Sequence, residues 1–107
     1  MDDTIDLERR LREITRWLML RLLYAGRPTG ASELVLMHLV NELRWGYTAD
    51  DVRRELDYLG SSGLAEIGQD DLVGWWGRLT TKGIDVVEYI APAPAGIARP
   101  RKYGGSC

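Results

Sequence analysis

The chain has 107 residues, of which 45% are hydrophobic and 28% are charged, and its formal net charge is -2. This length suits one domain and leaves no room for two, and the composition is that of a globular protein rather than a disordered one. A slightly acidic chain has no overall positive field, so binding to nucleic acid or to an anionic membrane would require a local basic patch.

The first predicted helix begins at Thr4 or Asp6 and extends to about Tyr24. Apolar residues at steps of four or three form one stripe along it: Leu7, Leu11, Ile14, Leu18, Leu22 and Ala25. Further apolar residues give the second half a second face, which predicts core: Trp17, Leu20, Leu23 and Tyr24. The first half has only the narrow stripe, which either pairs with another copy of the chain or packs along its own domain. The first alternative predicts a homodimer interface at Leu7, Leu11 and Ile14.

A turn at 26–30 precedes a second predicted helix that begins near Ser32 or Glu33. Its predicted buried face consists of four aliphatic residues: Leu36, Leu39, Val40 and Leu43. Gly46 is expected to end the helix after Trp45. His38 has no second histidine in the chain to join it as a ligand, so neither a metal site nor a cofactor is predicted.

The third predicted helix carries its own start and stop signals. Thr48 is a good N-cap, Asp51 can complete a capping box, and Tyr47 can form a hydrophobic staple with Val52. The predicted buried stripe is Val52, Leu56 and Leu59. The residues predicted to face water are Asp50, Arg53, Arg54 and Asp57. Gly63 ends the helix as a left-handed C-cap, which places Leu64 against the last turn.

A β-hairpin follows, with predicted strands at 64–68 and 72–79 and a turn at 69–71. Val73, Trp75 and Leu79 share one face of the second strand, while Trp76 and Arg78 share the other. If Leu79 points toward the core, Trp76 points outward. An outward tryptophan is either a protein-interface anchor or is covered by the chain's own tail, and both alternatives stay open.

Thr80 can cap a last helix through about Ile90, with Ile84, Val87 and Ile90 as its apolar face. After residue 91 the chain is rich in Pro, Gly and Ala, which predicts a domain at 1–91 and an extended tail at 92–107. The tail is basic, with Arg99, Arg101 and Lys102 and no acidic residue. Such tails are usually solvated, and this one is the most suitable place in the chain for phosphate contacts.

No catalytic residues are predicted, and we expect the protein not to be an enzyme. The adjacent carboxylates at 50–51 and 70–71 suit a helix start and a turn, where they do not converge across a cleft as an acid and a base must. The only cysteine is Cys107, so no intrachain disulfide can form and a reducing cytoplasm is expected. The apolar run at 17–25 is too short and too interrupted for a membrane span or a signal peptide.

The order of the elements predicts a mainly α fold with a small β-hairpin, a winged helix-turn-helix of order α-α-α-β-β-α. The segments VRRELDYLGSSGL and LTTKG resemble those of MarR-type and PadR-type winged-helix regulators. A more specific resemblance is to small winged-helix proteins of Mu-like phages and prophages. In that resemblance LTxxGxDV, here Leu79 to Val86, is followed by a Gly-hydrophobic-x-Arg-Pro tail, here Gly96 to Pro100. The resemblance implies a phage or prophage protein in the cytoplasm of a bacterial host.

A winged helix typically inserts its third helix into the major groove of double-stranded DNA. On that geometry, the predicted DNA-binding residues of the third helix are Thr48, Arg53 and Arg54. The basic tail adds Arg99, Arg101 and Lys102 as predicted DNA-binding residues. Acidic residues on the third helix and at the wing tip oppose phosphate binding: Asp50, Asp57, Asp70 and Asp71. The leading hypothesis is a dimeric, non-enzymatic DNA-binding protein. The alternative is a protein-interaction adaptor in phage development or assembly, which would use the first helix and Trp76 to contact a phage or host protein.

Overall fold

The structure, a computed structural model, describes residues 3–43 and 46–102, with side chains from residue 6 onward. In these residues the chain forms four helices and three strands. In chain order they are α1 (Asp3–Ala25), β1 (Ala31–Ser32), α2 (Glu33–Leu43), α3 (Ala49–Ser61), β2 (Ala65–Asp70), β3 (Gly74–Leu79) and α4 (Thr81–Val87). The protein is therefore mixed α/β, with the expected succession of helices and hairpin. Strand β1 was not predicted, because two residues carry no recognisable alternation.

The three strands form one antiparallel sheet in the order β1-β3-β2. Ala31 lies opposite Gly77, and Ala65 lies opposite Leu79. Gly30 has a φ of 89°, and a Cβ at this position would overlap the carbonyl oxygen of Gly77. Glycine therefore lets the turn after α1 approach β3 closely enough to pair.

The core lies between the helices and the inner face of the sheet. Its fully buried aliphatic residues include Met19, Leu20, Leu23, Leu36, Val40, Val52, Leu56, Leu59, Leu64 and Val86. The second face of α1 is thus core as predicted. The other apolar stripe of α1, which begins at Leu7, is not fully covered by the described chain. Leu7 and Ile14 are 59% and 43% exposed.

Helix α2 departs from its predicted burial. Leu36 and Val40 are buried, but Leu39 and Leu43 are exposed, so the prediction of a four-residue buried face was wrong for these two. With Val35, they form a flank at i, i+4 and i+8 that turns away from the buried side. The positions Arg44 and Trp45 lie outside the described residues.

Helix α3 has the predicted termini. The Thr48 side chain accepts from the Asp51 backbone N–H, and the Asp51 carboxylate accepts from the Thr48 N–H, forming a capping box. At the other end Gly63 has a φ of 78°, and the Leu64 N–H donates to the Leu59 carbonyl at 2.9 Å. This is a Schellman termination, and it buries Leu64 as predicted.

The turn of the hairpin lies two residues later than predicted. Asp70 Oδ1 accepts from the N–H groups of Leu72 at 2.7 Å and Val73 at 3.3 Å, so residues 71–73 form the turn and β3 starts at Gly74. The predicted placement of Val73 on the inner strand face was therefore wrong, and both Leu72 and Val73 are exposed. The expected faces of Leu79, which is buried, and of Arg78, which is exposed, are confirmed.

The last helix is shorter than predicted. Thr80 is its N-cap, but α4 ends at Val87, and Tyr89 has a φ of 63°, which a helix cannot continue. Ile90 is consequently exposed, and its predicted place on the apolar face was wrong.

Residues 92–102 form no helix or strand, yet they pack on the domain. Ile97 is only 6% exposed and belongs to the core, and the Ala98 N–H donates to the Glu13 carbonyl of α1 at 3.1 Å. The expectation of a solvated tail therefore does not hold for Ile97, whereas Arg101 and Lys102 at the end of this stretch are exposed. One apolar residue among Pro, Gly and Ala gives no periodic signal, so its burial could not be inferred from the composition.

Candidate functional site

The solvent-facing side of α3 is the surface that the sequence predicts for DNA. Thr48 stands at its start, where its hydroxyl accepts from the Asp51 N–H and also lies 3.1 Å from the Asp51 carboxylate. Its polar atoms are used in capping the helix. Asp50 and Asp57 are exposed on the same helix.

Arg53 is held by an acidic residue from a neighbouring helix. Its Nε and Nη2 atoms each donate to a carboxylate oxygen of Glu33 at 2.8 Å, a bidentate pair. Glu33 Oε1 also accepts from the Trp75 backbone N–H at 2.8 Å. This carboxylate therefore joins the start of α2, helix α3 and strand β3, and it occupies the guanidinium edge that would otherwise be offered to phosphate.

The Glu33 contact makes a prediction for acid stability. Hydrogen bonding from Arg53, opposed by burial and aided by the Trp75 N–H, lowers the pKa of Glu33 below its usual value of 4.5. A carboxyl with a depressed folded-state pKa stabilises the fold above its unfolded pKa, and this contribution is lost as the pH falls toward the folded-state value. We expect the free energy of unfolding to decrease below about pH 4.5 and Glu33→Gln to reduce that decrease. Urea unfolding followed across this range would measure both, and equal pH dependence in the two proteins would contradict the assignment.

Arg54 is also paired. Its Nη1 and Nη2 atoms lie 3.4 Å from carboxylate oxygens of Asp51 and Glu55. Arg54 remains partly exposed, but two acids of its own helix compensate its charge. Both α3 arginines predicted for the DNA interface, Arg53 and Arg54, are therefore in ion pairs within the domain.

The tail residues predicted for DNA occupy a different setting. Arg99 Nη1 donates to the carbonyls of Val86 and Ala91 at 2.8 Å each, and its guanidinium carbon lies 4.3 Å from the centre of the Tyr89 ring. Arg99 thus fixes the tail to the end of α4. Arg101 and Lys102 are exposed, and neither forms an ion pair with another residue that the structure describes.

The buried face of α3 carries a carboxylate, Glu55, that the sequence-based prediction missed. The Glu55 side chain is fully buried and accepts from Arg16 Nε at 2.7 Å and Arg12 Nε at 3.0 Å, with Arg54 Nη2 at 3.4 Å. Arg16 also donates to the Gly96 carbonyl and stacks 3.8 Å from the centre of the Tyr58 ring. The signal was present, because Glu55 falls on the buried stripe, three residues after Val52 and four before Leu59.

Trp76 lies on the outer face of the sheet, as predicted, beside a groove of about 630 Å³. The groove is lined by residues 28–32 and by Val35, Val73, Trp76 and Arg78. The indole lies across Gly68 of β2, where a Cβ would overlap its ring, and Arg78 is 5.8 Å from the ring centre and paired with Glu66. The prediction that Trp76 and Arg78 share the outer face of the strand is confirmed.

Apolar side chains stand exposed at the rim of this groove. Val35 and Val73 are each about half exposed and line it, and Leu72 at the hairpin turn is almost wholly exposed. The described part of the tail is absent from the groove lining, so the alternative in which the tail covers Trp76 is not observed for residues up to 102. The sequence did not indicate Val35 or Val73, because the groove depends on the position of the hairpin turn.

No known protein family, curated protein or solved structure matches this chain. Within the described residues, no group of three or more His, Cys, Asp or Glu side chains could hold a metal ion. In the same part of the chain, no helix is both long and apolar enough to cross a bilayer.

Proposed function

We propose that this chain is a winged-helix-like, non-enzymatic adaptor that binds another protein through the groove beside Trp76. The observation that carries the proposal is the open apolar groove between β3 and the start of α2, which half-buried Trp76 lines and where Val35 and Val73 are about half exposed. A partner segment with a large aliphatic or aromatic side chain would bury these groups and gain the free energy of removing them from water. Because the sequence resembles small winged-helix proteins of Mu-like phages, we propose that this adaptor acts in phage development or assembly.

The charges on α3 support protein binding over DNA binding. Phosphate neutralisation by free lysine and arginine supplies most nonspecific affinity for DNA. Arg53 and Arg54 already neutralise Glu33, Asp51 and Glu55. Contact with phosphate would have to break these pairs while Asp50 and Asp57 repel the backbone.

The carboxylates support a non-enzymatic role. Glu33 and Glu55 are engaged by arginines, and Asp51 and Asp70 accept backbone N–H groups at a helix start and in a turn. Each of these acids therefore has a structural use that explains its position without a reaction.

A display library of random peptides, selected on the intact protein, would test the groove. We expect the selected peptides to share a large apolar residue. We expect Val35→Asp to lower the affinity for a labelled peptide by at least tenfold, which corresponds to losing a contact worth about 1.4 kcal/mol. Leu34→Asp is the matched control, because Leu34 is exposed on the same helix and does not line the groove. Failure to select any peptide, or equal weakening by the two variants, would refute the proposal.

Fluorescence anisotropy with generic duplex DNA at about 20 mM salt would test the rival function. We expect no salt-sensitive binding. Salt-sensitive binding that Arg54→Ala weakens and Val35→Asp leaves intact would assign DNA recognition to α3. Weakening by Arg101→Ala with Lys102→Ala instead would assign it to the tail.

A further inference from the structure

Helix α1 has two apolar faces that point in different directions. Thr15, Met19, Leu20 and Leu23 are fully buried and define the face that packs on the domain. The stripe that we call the outer seam consists of Leu7, Leu11, Ile14 and Leu18. At 3.6 residues per turn, the outer seam lies about 140° around the helix from the buried face.

The amino-terminal turns of α1 are exposed to solvent. Every residue from 6 to 10 is exposed, including Leu7, and Ile14 remains 43% exposed one heptad later. Leu11 and Leu18 are half-buried. The described chain thus provides no complete cover for the seam, although aliphatic residues at helical spacing favour burial.

We infer that a second copy of this chain covers the outer seam, with the two α1 helices antiparallel. Steps of four, three and four are the a/d spacing by which two helices pack knobs into holes. In an antiparallel pair related by a twofold axis, Leu7 lies opposite the partner's Leu18, and Leu11 lies opposite the partner's Ile14. Each seam residue then meets another seam residue.

Charge distinguishes this orientation from a parallel one. The next position at the a/d spacing after Leu18, three residues on, is Arg21, which is exposed and has no ion pair with a described residue. A parallel pair would place the two Arg21 side chains opposite each other, which is repulsive. An antiparallel pair brings Arg21 close to the first turns of the other helix, where the partner's Asp6 is exposed. Among the described residues, Asp6 forms an ion pair only with Arg9, three positions along the same helix. Complementary charge therefore selects the antiparallel copy.

The interface is one short helix pair, which belongs to the small class of protein interfaces. The dimer is consequently reversible, and its population depends on protein concentration. This inference is independent of the proposed groove function, because the outer seam and the groove share no residue.

Light scattering and sedimentation across the micromolar to submillimolar range test the dimer. The mass should rise with concentration from 12.1 kDa toward twice that value. Ile14→Asp should keep the protein monomeric throughout, whereas Ile90→Asp, the same change at an exposed residue outside the seam, should leave the dimer unchanged. A monomeric mass for the unaltered protein, or dimerisation that survives Ile14→Asp, would overturn the inference.

Disulfide trapping tests the orientation in a Cys107→Ser background. Leu7→Cys together with Leu18→Cys should give a covalent dimer under mild oxidation. Leu7→Cys alone should not, because eleven residues of offset separate the two copies of position 7 by about 16 Å, beyond disulfide reach. A covalent dimer from the single variant would indicate a parallel pair and refute the antiparallel assignment.

Discussion

Replacing Glu55 by alanine is expected to lower the free energy of unfolding by about 3–5 kcal/mol, the usual cost of removing one partner from a buried ion pair. The Glu55 side chain is fully buried, and Arg12 and Arg16 donate to its two oxygens. Without the carboxylate, Arg16, whose side chain is only 13% exposed, would retain a poorly solvated charge beside Arg12 and Arg54. Chemical denaturation followed by tryptophan fluorescence would measure the loss.

Glu66→Ala provides the matched control for Glu55→Ala. Glu66 also pairs with an arginine, Arg78, but its side chain is 60% exposed. An exposed pair contributes about 0–1 kcal/mol, because water competes for both charges. Similar destabilisation by the two variants would show that burial of Glu55 does not govern the stability of the domain.

Truncating Ile97 to alanine is expected to cost about 2–5 kcal/mol, the range for deleting a buried isoleucine side chain. The residue is 6% exposed although it lies in a segment without helix or strand. Its removal would leave a cavity under the tail, close to the Arg16 contact with the Gly96 carbonyl. The change in denaturation midpoint, at unchanged denaturant sensitivity, would give the size of the effect.

The control for Ile97 is the same substitution at Ile90, which is 69% exposed. Surface substitutions of this kind usually change stability by no more than about 0.5 kcal/mol. If Ile97→Ala were as mild as Ile90→Ala, the tail would not contribute to the core in solution.

The parts of the fold that follow from local signals could be predicted. The start and end of α3 depend on residues a few positions apart, namely Thr48 with Asp51 and Gly63 with Leu64, and both ends form as expected. The outward face of Trp76 follows from strand alternation once Leu79 points inward. These predictions needed no knowledge of what packs against each element.

The features that depend on distant partners could not be predicted in the same way. Glu33 accepts from Arg53 twenty residues away and from the Trp75 N–H forty-two residues away, so its role depends on how α2, α3 and β3 come together. The shift of the hairpin turn has a local cause, since Asp70 rather than Gln69 begins it, but several polar residues in succession offered more than one start. That shift exposed Val73 and created one wall of the groove.

Several residues of the candidate site could be predicted from the sequence, but their interaction partners could not. Periodicity identified Leu7, Leu11, Ile14 and Trp76 as apolar residues in need of a partner. It also identified Arg53 and Arg54 as exposed cations, but spacing along one helix does not show that Glu33 of α2 reaches Arg53. Whether a charged residue is available to a ligand is a property of the folded neighbourhood.

The docked tail changes where the cooperative folding unit ends. Up to residue 102, no helix or strand follows Val87. A boundary drawn there or at residue 91 would remove a core side chain, the Arg99 contacts to Val86 and Ala91, and the carbonyl that accepts from Arg16. The Tyr89 hydroxyl also donates to the Pro100 carbonyl at 2.7 Å. The smallest fragment that retains the native packing therefore extends to Pro100. A shorter fragment would have a damaged core, so it would not show the properties of an intact domain without its tail.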